Sequence, residues 1–398
     1  MKVLSKFPIL AIVVAQLLGT SLWFSPNSAA DDLVRAWSLS TIQLGQLTSA
    51  VQIGFIVGTL LLSTSGLADR FPASQIFCIS CLLGSAFNAI FALAPISFNQ
   101  ALLARCAVGV CLAGIYPLGM KMVISWSKAN AGQALGVLVA MLTMGTALPH
   151  GVRAMGGAWP WQAVVLTSSV LALLSGVVIF ALGDGPYLAR ARGGRKASWG
   201  QAITVFRDPT FRSCAIGYFG HMWELYAFWT AVPFLIAGVL SATGATSRTT
   251  SAIAFAVIAS GALGCIVAGR MSRLIGSARV AAGALAISGA MCLVYPVVAA
   301  CADVSVCVSA LVVWGVAVIA DSAQFSAISA RACPPNLIGS ALAIQNSIGF
   351  LVTVPPISLV TGNIDHLGAK VAWLLLPGPI VGLVFFRGLL GAVSAEHR

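Results

Sequence analysis

The 398-residue sequence is 59% hydrophobic and 8% charged, with a mean hydropathy of +0.97 and a formal net charge of +12. A soluble globular domain carries about 25% charged residues, so this composition excludes one and points to a chain that crosses a membrane many times. The positive excess does not imply nucleic acid, because Lys and Arg fall mainly in short loops between apolar runs.

Twelve apolar runs approach the ~20 residues that a spanning helix needs. They cover residues 8–29, 42–64, 75–95, 99–123, 134–155, 162–182, 213–238, 249–269, 279–299, 305–328, 337–360 and 369–390. The ~10-residue alternation of a membrane barrel does not occur in them, so helices are expected throughout. The first run, PILAIVVAQLLGTSLWFSPNSAA, starts like a signal peptide after Lys2 and Lys6. It is too long for one, and eleven spans follow. It is read as a retained first helix carrying Gln16 and Asn27. The third run contains Cys78 and Cys81 in CISC, which has metal or redox spacing but no partner ligands nearby. Most of the ten cysteines lie in apolar runs, where a thiol acts as a small hydrophobe. Cys301 and Cys307 flank a short loop and are able to pair, although nothing in the sequence requires it.

The longest polar interval, residues 183–212, divides the chain into six spans and six. The expected domains are therefore 1–182, a linker 183–212, and 213–398. All Lys and Arg except Arg35, Arg105, Arg153, Arg248 and Lys370 fall on one side if both termini face the cytoplasm, which fixes the expected orientation. The halves echo each other. Aligning Ser65 with Gly269 sets Asp69 against Arg273, and GQALGVLVAMLTMG from Gly132 aligns with GSALAIQNSIGF from Gly339. Two copies of six helices in parallel repeat are the pattern of a carrier built from two bundles.

Of the ten acidic residues, only Glu224 and Asp321 lie within predicted spans. A charged side chain at the bilayer centre costs at least ~2.5–3.5 kcal/mol, and burial favours the neutral form of a carboxyl. A carboxyl so placed is suited to taking up and releasing a proton. Glu224 sits in GYFGHMWELYAFW, one helical turn after His221, which is within hydrogen-bonding reach on the same face. An imidazolium there favours the carboxylate while the apolar surroundings oppose it, and the sequence leaves the balance open. The bland alternative is a pair that merely locks span seven to a neighbour. Asp321, in IADSAQFSA, is matched evenly by a helix-end contact with Arg331 or another loop base.

In the first half, Arg105 lies inside span four and is a natural fork for a carboxylate or phosphate. His150 and Arg153 lie in the outer third of span five, where Arg153 is expected to snorkel to the surface. Lys121 reads as an anchor at the cytoplasmic end of span four. Tyr116, Tyr226, Gln345 and Asn346 complete the candidate substrate-lining set. Trp223, Tyr226 and Trp229 around Glu224 wall a cavity or serve as ordinary packing. No Walker-type glycine loop, zinc-ligand spacing or nucleophile elbow occurs, so neither an enzyme nor a cofactor is expected.

The loop after span two reads SGLADRFPAS. It resembles the G-x-L-A-D-R-x-G-R-K motif of the major facilitator superfamily, with Asp69 and Arg70 at the acid and the first base. Ser65, Pro72, Ala73 and Ser74 depart from it, so the basic tail is missing. Arg105 and Gly109 match the superfamily's R-x-x-x-G in span four. Gly136 and Gly145 match the first part of the span-five motif of drug/proton antiporters, but Pro149 and His150 stand where Gly and Pro belong. The nitrate-type branch carries an arginine in spans two and eight, and neither span here has one.

The resemblance covers the whole chain. It implies an all-α membrane protein of twelve helices in two six-helix bundles, working as a monomeric secondary transporter in the inner membrane. The expected partners are a small-molecule substrate, protons and the lipid bilayer. The expected activity is proton-coupled uptake of a small organic anion. Glu224, His221 and Asp321 are the coupling candidates, and Asp69 and Arg70 the gating candidates. The rivals are proton-driven efflux of amphipathic compounds and a sensor or scaffold that keeps the fold without transport.

Overall fold

The computed structural model describes residues 6–94, 96–127, 131–156, 159–187, 199–334 and 337–396, with the side chains of 69, 131–133, 199–200 and 391–396 outside that set. Among the described residues the structure is helical and has no strand. The helices are α1 (Pro8–Thr20), α2 (Ala30–Trp37), α3 (Thr41–Ser65), α4 (Leu67–Arg70), α5 (Ala73–Leu93), α6 (Phe98–Trp126), α7 (Ala131–Met155) and α8 (Trp161–Leu182). They continue with α9 (Trp199–Thr204), α10 (Pro209–Leu240), α11 (Ser247–Ile275), α12 (Ser277–Cys301), α13 (Val304–Ala320), α14 (Ser322–Arg331), α15 (Ile338–Leu367) and α16 (Pro377–Glu396).

The helix ends follow local chemistry. Ser40 with Gln43 and Ser97 with Gln100 form capping boxes that open α3 and α6. Pro209 starts α10 behind Asp208, whose carboxylate accepts the Phe211 N–H at 2.7 Å. Gly66, at φ +67°, closes α3 in the left-handed conformation and turns the chain into α4. The cap of α5 comes from far away in sequence. Asp184 accepts the N–H groups of Ala73 and Ser74 at 3.2 and 2.8 Å. Next to it, Ser125 Oγ accepts the Gly185 N–H and the Ser125 carbonyl accepts the Tyr187 N–H. Asp184→Ala is expected to lower stability by about 1 kcal/mol, the usual cost of a lost N-cap, with Asp184→Asn in between. Thermal melts of the three proteins check this.

Ten segments among the described residues are long and apolar enough to cross a bilayer, against the twelve expected. The difference has two sources. First, α1 has only 13 residues, because the expected span 8–29 breaks after Thr20 into a bend and a 3₁₀ turn, Asn27–Ala29. Second, residues 338–390 form one continuous apolar stretch holding α15, the 3₁₀ turn Gly368–Leu374 and α16. The expected span 305–328 is also interrupted, with α13 ending and α14 beginning at Asp321.

The residues cluster into two compact units, 1–193 with 243–259, and 194–242 with 260–398. In the first, α3 crosses α6 at backbone contact. A Cβ on Gly54 would lie 1.9 Å from the Cys106 carbonyl oxygen, and one on Gly109 would lie 2.1 Å from that of Val51. Small residues at a crossing let membrane helices gain packing contacts that lipid cannot supply. In the second unit, α10 meets α16 through Gly220 and Gly378, each of which would clash with the other's carbonyl if it carried a Cβ. This contact runs α10 through the interior of its unit, so its middle is almost wholly buried.

Candidate functional site

Glu224 lies halfway along α10 and is fully buried. Its Oε1 accepts the indole N–H of Trp314 at 2.6 Å and the Cys292 thiol at 3.4 Å, and its Oε2 accepts the Ser288 hydroxyl at 2.9 Å. Ser288 and Cys292 are one turn apart on α12, and Trp314 comes from α13, so one carboxyl ties three helices. Phe228 and Tyr295 pack against the Trp314 ring, with centroids 4.4 and 5.8 Å away. In an apolar interior every group that meets a buried carboxylate must be a donor, and all three are.

The expected hydrogen bond between His221 and Glu224 does not form. His221 turns instead to Asp321, with Nδ1 2.8 Å from Oδ1, a close polar contact rather than an aligned hydrogen bond. Both side chains are buried, and His221 Nε2 and Asp321 Oδ2 have no hydrogen-bond partner among the described residues. The rings of Tyr218 and Phe325 lie 6.0 Å from the imidazole on either contact. Asp321 is not held by Arg331, whose guanidinium bonds the Ser277 hydroxyl and the Ala327 carbonyl. Asp321 sits where α13 gives way to α14, and a broken helix at an intramembrane carboxyl is a recurrent way of building an ion site.

Among the described residues of the first unit, the buried charged side chains are two arginines, Arg105 and Arg153. Arg105 is 1% exposed on α6. One Nη bonds Asn88 Oδ1 at 2.8 Å, and the other bonds the carbonyls of Leu22 and Trp23 at 2.9 and 2.8 Å. Those two carbonyls belong to the bend after α1, so the guanidinium satisfies acceptors that the interrupted helix leaves open. The expectation of a fork open to a ligand is thus corrected: both Nη groups are engaged, and Nε alone lacks a partner among the described residues. No carboxylate among the described residues bonds this guanidinium.

His150 on α7 is buried, with Nε2 unpartnered among the described residues. Arg153 does not snorkel to the surface. It forms a salt bridge with Asp32 and donates to the Trp159 carbonyl at 2.6 Å. With Arg35, which bonds Asp32 at 2.6 Å, it lines a cavity of about 470 Å³. Lys121 is likewise engaged, bonding the Ala68 carbonyl in α4. Arg70 is exposed on α4, and the Asp69 side chain lies outside the described residues.

Tyr116 is half-buried on α6, as is Asn346 on α15. Tyr226 is buried against the rings of Trp229 and Phe350, each 5.3 Å away. Trp223 donates its indole N–H to the Leu374 carbonyl. Gln345 is buried with Oε1 unpartnered among the described residues, as are both amide atoms of Gln16. Gln16 lies over Gly119, where a Cβ would come within 2.2 Å of its Oε1. Asn27 bonds the Thr48 hydroxyl at 2.9 Å. The Cys301–Cys307 pairing does not form: both are free thiols, and Cys307 donates to the Val298 and Ala302 carbonyls.

Sequence reasoning missed several members of these clusters. Ser288, Cys292 and Trp314 look ordinary within apolar spans, and no local signal marks them. Asn88, which orients Arg105 while bonding the Val165 carbonyl and the Ser169 hydroxyl, was legible as an amide in the middle of span three. So was Gln52 in span two, which is fully buried with both amide atoms unpartnered among the described residues.

A family model described as Major Facilitator Superfamily matches residues 9–354. The chain is similar to the niacin transporter NiaP of Acinetobacter baylyi, 29% identical over 167 residues. That stretch is 39% of this chain and 36% of the relative, so the match spans little more than a third of the relative's length. Among solved structures it is similar to the nucleoside transporter NupG, with a TM-score of 0.71, 14% identity, and coverage of 96% of this chain and 99% of the other. It is also similar to a bacterial homologue of the human lysosomal transporter Spinster in an inward-facing, unoccupied conformation. There the TM-score is 0.66, the identity 16%, and the coverage 97% and 95%. At these identities the structural likeness speaks for the fold alone.

Proposed function

We propose, because this chain belongs to the Major Facilitator Superfamily, that it is a proton-coupled carrier taking up a small organic anion by alternating access. The family and the relatives are transporters rather than enzymes. The observation that carries the coupling reading is Glu224: a fully buried carboxyl in mid-helix, beside a buried His221–Asp321 pair. Intramembrane charge is expensive and is kept mainly where ions or substrates pass.

Two observations support an anion. The Arg105 guanidinium is buried with no carboxylate among the described residues bonded to it, so the charge meets carbonyl dipoles there and favours a negative ligand nearby. The relative named as a niacin transporter makes an aromatic carboxylate the first class to test. His150, Tyr116, Tyr226, Gln345 and Asn346 are the proposed substrate contacts, joined by Gln16 and Gln52. The unpartnered amides among them suit a solute that both donates and accepts hydrogen bonds. In this reading twelve helices form two bundles, 1–182 and 213–398, which rock about a midplane site. Asp69 and Arg70 gate the cytoplasmic side through the motif they match. The Lys and Arg distribution supports an inner-membrane protein with both termini cytoplasmic.

The test is uptake into proteoliposomes holding the purified protein, with an aromatic carboxylate and its neutral amide as paired substrates. An inward proton gradient is expected to drive accumulation of the carboxylate above its equilibrium level, and a protonophore to abolish it. The amide is expected to enter only at the passive rate. Gradient-driven extrusion of an amphipathic dye would favour the efflux reading. Binding without flux would favour a sensor, and equal transport of acid and amide would remove the anion.

A further inference from the structure

The geometry points to Ser288 as a positioning residue that keeps Glu224 satisfied both with and without its proton. This rests on the proposed role of Glu224 in coupling and assigns the part of the site that makes a change of protonation tolerable in a dry interior.

The two carboxyl oxygens are held differently. Oε1 receives the Trp314 indole N–H at 2.6 Å and the Cys292 thiol at 3.4 Å. An indole N–H only donates, so it holds an oxygen that stays an acceptor. Among the described residues Oε2 meets the Ser288 hydroxyl alone, at 2.9 Å. That hydroxyl is 1% exposed and has a second acceptor in reach, the Leu285 carbonyl one turn earlier on α12 at 3.2 Å. A serine hydroxyl owns one hydrogen and can accept as well as donate. One hydrogen between two acceptors is a two-position switch.

When Glu224 is ionised, Ser288 donates to Oε2. When a hydronium ion from the aqueous side delivers its proton to Oε2, a new O–H bond forms there as the hydronium O–H bond breaks and water leaves, and no bond within the protein is broken. The Ser288 hydrogen then rotates to the Leu285 carbonyl, and the Glu224 O–H donates to Ser288 Oγ. Neither state leaves a buried donor without an acceptor, which is the arrangement an unassisted buried carboxyl lacks. Of the two oxygens, Oε2 therefore carries the proton.

The groups facing this pair from the neighbouring helices do not duplicate the role. Cys292, on α12, reaches Oε1. Tyr295, also on α12, packs its ring on Trp314, and its hydroxyl has no partner among the described residues. Asp321 and His221 pair with each other. The remaining described charged side chains of α10, α12, α14, α15 and α16, and of the 3₁₀ turns beside α10, are exposed.

The experiment is pH-difference infrared spectroscopy of the full-length protein in lipid, reading the C=O stretch of the protonated carboxyl. The band is assigned to Glu224 by its loss in Glu224→Gln. In Ser288→Ala the O–H loses its acceptor, and the band is expected to move to higher frequency. In Ser288→Thr, which keeps the hydroxyl, it is expected to stay in place. Ser288→Cys, with a poor acceptor, is expected to shift it in the same direction as Ala and serves if the alanine variant does not fold. An unshifted Glu224 band in both Ser288→Ala and Ser288→Cys would overturn the switch while leaving coupling by Glu224 intact. A wild-type protein with no titrating carboxyl band that Glu224→Gln removes would overturn the coupling reading and the switch with it.

Discussion

Glu224→Gln is expected to reduce gradient-driven accumulation to passive equilibration while substrate exchange across the membrane continues. Glutamine keeps the shape of the side chain. Its carbonyl can still accept the Trp314 indole N–H, and its amide can donate to Ser288, which accepts as readily as it donates. The three-helix tie between α10, α12 and α13 therefore persists, and the protein should fold and bind. What is lost is the proton that a carboxyl gives up and an amide does not. Counterflow in proteoliposomes measures exchange, and uptake under an imposed proton gradient measures coupling. A variant that still accumulates substrate would move the coupling role to the His221–Asp321 pair, which has atoms without a hydrogen-bond partner among the described residues and so a second opening to water or ligand. A variant that neither exchanges nor binds would make Glu224 a structural tie alone.

Arg105 is the second position with a large expected effect, and the structure changes what its variants should do. A fork open to a carboxylate predicts that Arg105→Lys fails like Arg105→Ala, because an ammonium cannot make the planar two-point contact. In the structure both Nη groups are engaged with Asn88 and with the Leu22 and Trp23 carbonyls. Arg105→Ala is therefore expected to cost on the order of 3 kcal/mol, the scale of one or two orphaned buried acceptors, and to lose the preference for carboxylate over amide. Arg105→Lys is expected to lose most of the same stability, since one ammonium cannot reach acceptors on both α5 and the bend. It retains the positive charge, however, and so retains the preference. Thermal melts and competition by the acid and amide pair separate the two effects. Loss of the preference in the lysine variant would restore the ligand fork.

Asp321 illustrates how far the sequence carried. Its position in an apolar span marked it as costly and therefore purposeful, and that argument needed no structure. Its partner was another matter. Arg331 was a reasonable choice by distance along the chain, ten residues on and of opposite charge, yet His221 from α10 holds it. The same holds for His221 itself. Helical spacing placed it beside Glu224, but in a membrane interior each buried polar group takes the donor or acceptor that the neighbouring helices bring. Ser288, Cys292 and Trp314 reached Glu224 first.

The sequence by itself determined what depends on composition and period. The scarcity of charge and the repeated apolar runs required membrane helices, because a backbone in lipid must satisfy its own hydrogen bonds. The motif at Leu67–Arg70 pointed to the superfamily, and the rarity of intramembrane acids singled out Glu224 and Asp321. Only the tertiary structure decided what depends on contact between distant segments. The Leu22 carbonyl in the bend after Thr20 is taken by an arginine 83 residues further on. The N-terminus of α5 is capped by Asp184, more than a hundred residues away. Arg105 became a brace, and the Glu224 carboxyl acquired three donors from two other helices. The physical reason is the same in each case. A helix forms from interactions within a few residues and can be read locally, whereas the pairing of buried polar groups is settled by which helices pack together.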